Sequence, residues 1–273
     1  MPIHFPTRDV SSRRTSSPGL VVYVTCGDPD LSVTKDIVLA AIENGADAIE
    51  LGVPFSDPVA DGPVIQRASE RAVRNGTSLE QVLKLASELR RAKAEAGLII
   101  FSYLNPILRM GMEAFADAAR GAGIDGALML DLPVEEADVY LGIMRERSLD
   151  TIFLVAPTSP DLRLKKIAAV SSAFVYAVSR TGVTGAQQQV AGDAKMLVSR
   201  MRKFTKLPIA LGFGVSNAEQ FQEVGEFADA VAIGSAIVRI IEEHGSQSAA
   251  HVGRFIKELK ILEPAHAARS ART

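Results

Sequence analysis

A single-domain α/β fold, a (β/α)8 barrel of the TIM type, is what this sequence predicts, on three observations. Eight short apolar runs alternate with longer segments of helical period, the runs are apolar on both faces, and the residues that break the apolar pattern gather where runs end. Strands covered on both sides of a parallel sheet read this way, and barrels keep their chemistry at the C-terminal ends of strands. An open doubly wound sheet fits the same alternation, but a count of eight favours closure.

The runs are Leu20–Thr25, Ala48–Leu51, Leu98–Tyr103, Gly126–Leu130, Thr151–Val155, Ala173–Val178, Pro208–Gly212 and Ala230–Ile233. Between them, Thr77 with Glu80 and Ser216 with Glu219 have capping-box spacing, and Gly45 and Gly97 stand where helices should stop. Gly121, Gly123 and Gly126 match a dinucleotide-binding glycine pattern but follow a helix and precede a strand, the reverse of its required context, so they read as an αβ turn. Asn75-Gly76-Thr77 matches a glycosylation sequon and reads instead as a turn and helix cap.

The totals suit one large core: 273 residues and 47% hydrophobic composition, against about 250 residues for a typical barrel. Residues 20–262 are taken as the barrel, 1–19 as a loosely packed arm in preference to a transit peptide, and 263–273 as a tail. A net charge of −2 offers no footprint for nucleic acid, and no apolar run is long enough to span a membrane. The lone Cys26 fits a reducing, cytoplasmic setting. His4, His244, His251 and His266 all lie near the two ends, which argues against a histidine metal centre and leaves proton transfer to carboxylates or tyrosine. The runs contain no lysine, so a Schiff-base aldolase would lack its nucleophile.

The second run and its loop, Glu50-Leu51-Gly52-Val53-Pro54-Phe55-Ser56-Asp57-Pro58-Val59-Ala60-Asp61-Gly62-Pro63, carry the strongest chemical signal. Glu50 is the only charge among Ile49, Leu51, Val53 and Phe55, and lost hydration makes such a carboxyl hold its proton. Asp61 lies in a Pro/Gly-rich loop and is expected to stay ionised, which would separate an acid from an anion. A buried ion pair for Glu50 and a turn-stabilising role for Asp61 explain the same spacing. Glycines after the last three runs, in Ser179–Gly185, Gly212–Gly214 and Gly234-Ser235, suggest a phosphate cradle.

Glu50–Pro63, together with Thr25–Pro29, Asp131-Leu132-Pro133, Ser179–Gly185, Gly212–Gly214 and Gly234–Val238, resembles tryptophan synthase α subunits in order and spacing from Leu20 to Leu262. The resemblance implies a lyase that splits indole-3-glycerol phosphate into indole and glyceraldehyde 3-phosphate. In it Glu50 protonates C3 of the indole and later assists deprotonation of the glycerol hydroxyl. Asp61 holds the ring N–H, and Tyr176 supports Asp61 by a hydrogen bond. Tyr23, Ile65, Phe101, Leu128, Thr184 and Phe213 would line the indole pocket, Gly185, Gly214, Gly234 and Ser235 would hold phosphate, and the Ser179–Gly192 loop would close over the substrate. The family partner is a pyridoxal-phosphate β subunit in an α2β2 heterotetramer, with Pro54, Asp57, Asn105 and Pro133 at the interface and no cofactor or metal in this chain. Two departures stand out: Tyr23 replaces the usual phenylalanine, and the arm before Leu20 does not read as an amphipathic helix.

Two other functions stay open from the sequence. A free-standing lyase would turn over without stimulation by a β subunit. A non-catalytic allosteric activator would have no need of Glu50 and Asp61 together.

Overall fold

The computed structural model describes Ile3 and residues 17–92, 94–179, 187–212 and 214–261, with backbone alone over 187–191. Its strands are β1 (Gly19–Thr25), β2 (Ala48–Gly52), β3 (Gly97–Ser102), β4 (Gly126–Met129), β5 (Asp150–Ile152), β6 (Leu154–Val155), β7 (Val175–Val178), β8 (Ile209–Gly212) and β9 (Ala230–Ile233). All pairings are parallel, in the order β5-β4-β3-β2-β1-β9-β8-β7-β6. The order begins and ends on the two halves of one extended segment, broken at Phe153. The fifth predicted strand is therefore split, its first half pairing with β4 and its second with β7, and the ring closes through it. The carbonyl of Phe153 itself accepts from Tyr176 N–H (3.1 Å).

The described helices are α1 (Leu31–Glu43), α2 (Pro63–Arg74), α3 (Leu79–Arg91), α4 (Leu104–Met110), α5 (Met112–Gly121), α6 (Asp138–Glu146), α7 (Asp161–Val170), α8 (Gln187–Met201), α9 (Ala218–Gly225), α10 (Ser235–His244) and α11 (Ser248–Lys260). The two expected capping boxes sit one residue off. Ser78 caps α3, its N–H donating to Gln81 Oε1 (3.0 Å), and Asn217 caps α9, its Oδ1 accepting from Gln220 N–H (2.9 Å). In each case two good cap residues stand side by side, and the second is the one that takes the extended cap conformation. Gly45 does stop α1, with φ 104°, but Gly97 opens β3, because α3 already ends at Arg91. Gly121 ends α5, Gly123 turns the chain at φ 78° and Gly126 opens β4, as an αβ turn should.

Alternation along each strand sorts the core into two layers. In β2, Ile49 and Leu51 face the helices while Ala48, Glu50 and Gly52 face inward; the lower interior is filled by Val21, Ala48, Ile99, Leu128, Ile152, Phe174 and Ala210. Ile3 joins this inner cluster and is buried at 7% exposure, so the N-terminal arm delivers one side chain into the barrel. Gly97 leaves it room, since a Cβ there would lie 2.9 Å from Ile3 Cγ1.

At the foot of the barrel one bonding pattern recurs four times. Asp47 receives Leu20 N–H (2.7 Å), Asp125 receives Leu98 N–H (2.8 Å), the Ser172 hydroxyl receives Thr151 N–H (3.0 Å), and Asp229 receives Ile209 N–H (2.7 Å). In every case the backbone N–H of the accepting residue returns a bond to the carbonyl of the same partner, at 2.9–3.0 Å. Lys260, Arg90 and Arg202 pair with the three aspartates. The strand starts are thus fixed in odd–even pairs, with their first N–H groups satisfied where no ladder continues.

Candidate active site

The inward parity of β2 places Glu50 inside the barrel with Tyr23 of β1 and Ile99 of β3 as its register neighbours. It is 1% exposed, and neither carboxyl oxygen has a hydrogen-bond partner. Burial pushes its pKa up to about 8. Among the described residues no cation offsets this, so the side chain holds its proton at pH 7 and makes no ion pair with them. Tyr176 of β7 lies in the field of Glu50, and burial first and Glu50 second raise its own pKa well above the usual value.

Asp61 reaches the same mouth from the β2–α2 loop. That loop is pinned along its length. Val53 N–H donates to Phe101 O (2.9 Å), extending the sheet; Ser69 on α2 bonds both the N–H and the carbonyl of Phe55 (2.8 and 2.9 Å); and Gln66 Nε2 donates to Asp61 O (2.9 Å). Tyr103, at the end of β3, completes the set: its hydroxyl accepts from Ala60 N–H (2.9 Å) and donates to Asp61 Oδ2 (3.0 Å). Burial raises the Asp61 pKa to about 6, and the Tyr103 hydrogen bond opposes the rise. The loop's tip is exposed but its Asp61 end turns in at the mouth, so Asp61 is shifted too, although it still titrates below Glu50.

The expected Tyr176–Asp61 bond is corrected here, because the hydroxyl on Asp61 is that of Tyr103. In the closed ring β7 lies opposite β2, four strands away in either direction, whereas β3 is its neighbour. Tyr176 leans instead over Gly212, where a Cβ would meet its ring and hydroxyl at 3.0 Å. Sequence reasoning missed Tyr103, although a hydroxyl at the C-terminal end of the third apolar run, where sites gather, was a usable signal.

Tyr23 and Phe101 meet edge to face, centroids 5.0 Å apart at 70°, with Ile65 from α2 packed on the same cluster. Leu128 lies beside Phe101 in register on β4 and is fully buried. These four residues therefore form one apolar wall near Glu50. The Tyr23 hydroxyl pairs with Thr25 Oγ1 (3.2 Å). Thr184, Gly185 and Phe213 lie outside the described residues.

Gly234 precedes α10 and Ser235 opens it, presenting unpaired N–H groups at the mouth above β9, the neighbour of β1. A Cβ on Gly234 would lie 3.3 Å from Tyr23 Cβ, so the ring wall and the anion end are in contact. Gly214 takes φ 69° and is exposed. Asp57 and Pro133 are exposed on loops of the same face, and Asn105 is exposed in the first turn of α4. Pro54 is buried within the chain, which corrects its assignment to the surface; the apolar surface of that loop is Val59, 85% exposed.

Comparison with known proteins agrees with this arrangement. A family model described as the tryptophan synthase alpha chain matches residues 10–267. The tryptophan synthase alpha chain of Solibacter usitatus is 46% identical over 250 residues, covering 91% of this chain and 93% of that one. The alpha chain of Neisseria meningitidis serogroup B is 45% identical over 241 residues, covering 88% and 92%. Among solved structures, the tryptophan synthase A-subunit of Pyrococcus furiosus superposes with a TM-score of 0.83 at 40% identity, covering 88% of this chain and 97% of that one. The tryptophan synthase complex of the same organism gives 0.81 at 38%, with the same coverage. With its barrel closed, its two carboxyls at one mouth and the match running nearly end to end, the chain belongs to the tryptophan synthase alpha chain family.

Proposed function

We propose that Glu50 and Asp61 carry out the carbon–carbon cleavage of this chain, with Glu50 as the acid and Asp61 as the anion. The family reaction is the splitting of indole-3-glycerol phosphate into indole and glyceraldehyde 3-phosphate, and the chain is a lyase of that kind. One observation carries the assignment of roles: Glu50 is a buried carboxyl with both oxygens unpartnered in an apolar interior. A fold has no use for such a group, whose burial is unfavourable unless a ligand meets it.

Asp61 accepts the ring N–H, and neutral Glu50 delivers its proton to C3. The ring becomes a cation with its charge near nitrogen, beside the Asp61 carboxylate. Glu50, now an anion, takes the proton of the glycerol hydroxyl; the carbon–oxygen double bond forms, the C3–glycerol bond breaks, and its electrons return to the ring. Glu50 ends protonated again, so one carboxyl serves as acid and then base. Tyr23, Ile65, Phe101 and Leu128 hold the ring, Gly214, Gly234 and Ser235 hold the phosphate, and Tyr176 packs across the mouth from Glu50. Thr184, Gly185 and Phe213 belong to the same reading by resemblance alone.

The chain works with a tryptophan synthase β subunit, in an α2β2 assembly docked through the face that carries Asp57, Asn105 and Pro133. Pyridoxal phosphate belongs to that partner, and the cleavage as written needs no cofactor in this chain. Residues 20–262 form the catalytic unit, with 1–19 and 263–273 as appendages. The buried lone Cys26 fits a cytoplasmic setting, and no described helix is long and apolar enough to cross a membrane.

The test is Glu50→Gln, assayed on indole-3-glycerol phosphate with and without β subunit. Loss of a general acid–base group should lower kcat by about 10²–10⁴-fold with the fold and substrate binding intact. Undiminished turnover would reject the role of Glu50, and turnover unaffected by β subunit would favour a free-standing lyase.

A further inference from the structure

Tyr103 is 3% exposed and touches the catalytic loop at two successive residues. Its hydroxyl accepts the Ala60 N–H and donates to Asp61 Oδ2, while its ring lies 5.1 Å from that of Phe55, which Ser69 anchors in turn. A tyrosine hydroxyl has one proton to give, and here it goes to the carboxylate; the donated Ala60 N–H fixes the direction in which that proton points. Among the described residues nothing bonds the other carboxylate oxygen, Oδ1, which leaves it to the substrate. We propose that Tyr103 is the positioning residue of this lyase: it holds Asp61 at the mouth, aims its free oxygen at the ring nitrogen and keeps it anionic. The proposal rests on Asp61 receiving the ring N–H, as argued above.

Among the described residues no other side chain is bonded to the Asp61 carboxylate. Tyr23 of β1 shares the field of Asp61, and Asp131, beyond β4, shares that of Tyr103; burial first, and Asp61 second, hold the Tyr23 hydroxyl neutral, and neither residue is a cation. Burial first, and Asp61 second, push the Tyr103 hydroxyl above its usual range, so it remains a donor throughout the working range. A hydrogen bond to an anion is stronger than one between neutral groups, and its loss here falls on the residue that must remain ionised.

Tyr103→Phe keeps the ring and removes only the hydroxyl. It should lower kcat/KM by about 10- to 100-fold, the range for losing a charge-assisted hydrogen bond, and move the acidic limb of the pH profile upward while the alkaline limb stays. Phe55→Leu, which disturbs the ring contact but spares the hydroxyl, should leave both limbs in place. An unmoved acidic limb in Tyr103→Phe, or an equal movement in Phe55→Leu, overturns the proposal. If Tyr103→Phe does not fold, 3-fluorotyrosine at this position, a stronger donor of nearly the same shape, should move the acidic limb downward, and no movement overturns the proposal equally. Asp61→Asn separates the two levels: full turnover in that variant defeats the reading of Asp61 itself, whereas its inactivity beside an unchanged Tyr103→Phe profile defeats only the role of Tyr103.

Discussion

Tyr23 occupies the space that a side chain on Gly52 would need: a Cβ built on Gly52 would lie 2.5 Å from the Tyr23 hydroxyl and 2.6 Å from its ring. The two residues sit on neighbouring strands with inward parity, so the glycine allows the ring to lean across the mouth beside Glu50. Gly52→Ala should displace that ring, raising KM for indole-3-glycerol phosphate several-fold and destabilising the fold by about 1–3 kcal/mol. Tyr23→Phe removes only the hydroxyl paired with Thr25 and should change KM by less than about threefold, a hydrogen bond between neutral groups contributing little. Steady-state kinetics and thermal unfolding of both variants check the pair.

The pH profile of kcat/KM should be bell-shaped. Asp61 must be ionised, so activity falls below about pH 6; Glu50 must be protonated, so activity falls above about pH 8. A profile flat across this interval would refute the acid and anion assignments together.

Glu50 should also make the fold less stable in alkali. Its folded pKa of about 8 lies above the ordinary glutamate value of 4.5, so the folded state binds the extra proton and stability declines as pH rises between those values. The full effect is of the order of 3–5 kcal/mol above pH 8 and vanishes below pH 4.5. Glu50→Gln should therefore melt higher than the parent protein at pH 8, with the gap closing towards pH 5. Equal melting temperatures at both pH values would contradict the burial argument.

Asp229 at the barrel foot is bound to Ile209 N–H and to Arg202. Asp229→Ala leaves both donors short of an acceptor and should cost about 1–3 kcal/mol in urea unfolding. Ser172→Ala, at the uncharged member of the series, should cost less. Lyase kinetics should change little in either variant, because both positions lie at the end of the barrel away from the carboxyls.

Ile3→Ala tests whether the arm contributes to the core. Removing a buried isoleucine side chain should destabilise the barrel by about 2–4 kcal/mol. Unchanged stability would mean that the side chain does not fill the interior in solution.

The strands were legible because each is a nearly unbroken apolar run, and Glu50 because it is the one charge among them. The break at Phe153 was not, since both halves of that strand are apolar and only their different neighbours reveal the split. Tyr176 was paired with Asp61 although the second and sixth of eight strands must face each other across a closed ring, an inference open to the sequence once closure is assumed. Tyr103 could be suspected from its place at the end of the third run, but that it holds Asp61 was out of reach for a different reason. Its bond to Asp61 joins residues 42 positions apart and depends on how the loop folds back, which Ser69 and Gln66 decide from the following helix. The caps were misjudged by one residue because Thr77 with Ser78, and Ser216 with Asn217, offer adjacent candidates and the backbone turns at only one.

The strap from Val53 to Gly62 has its bare tip at Ser56 to Ala60 and the working carboxylate at its inner end. A neighbour that presses on Val59 is therefore pressing, through a couple of peptide units, on the atoms that must meet the ring nitrogen. On the proposed roles, surface and chemistry would share one lever here, and a partner gripping Val59 would also retune the catalyst.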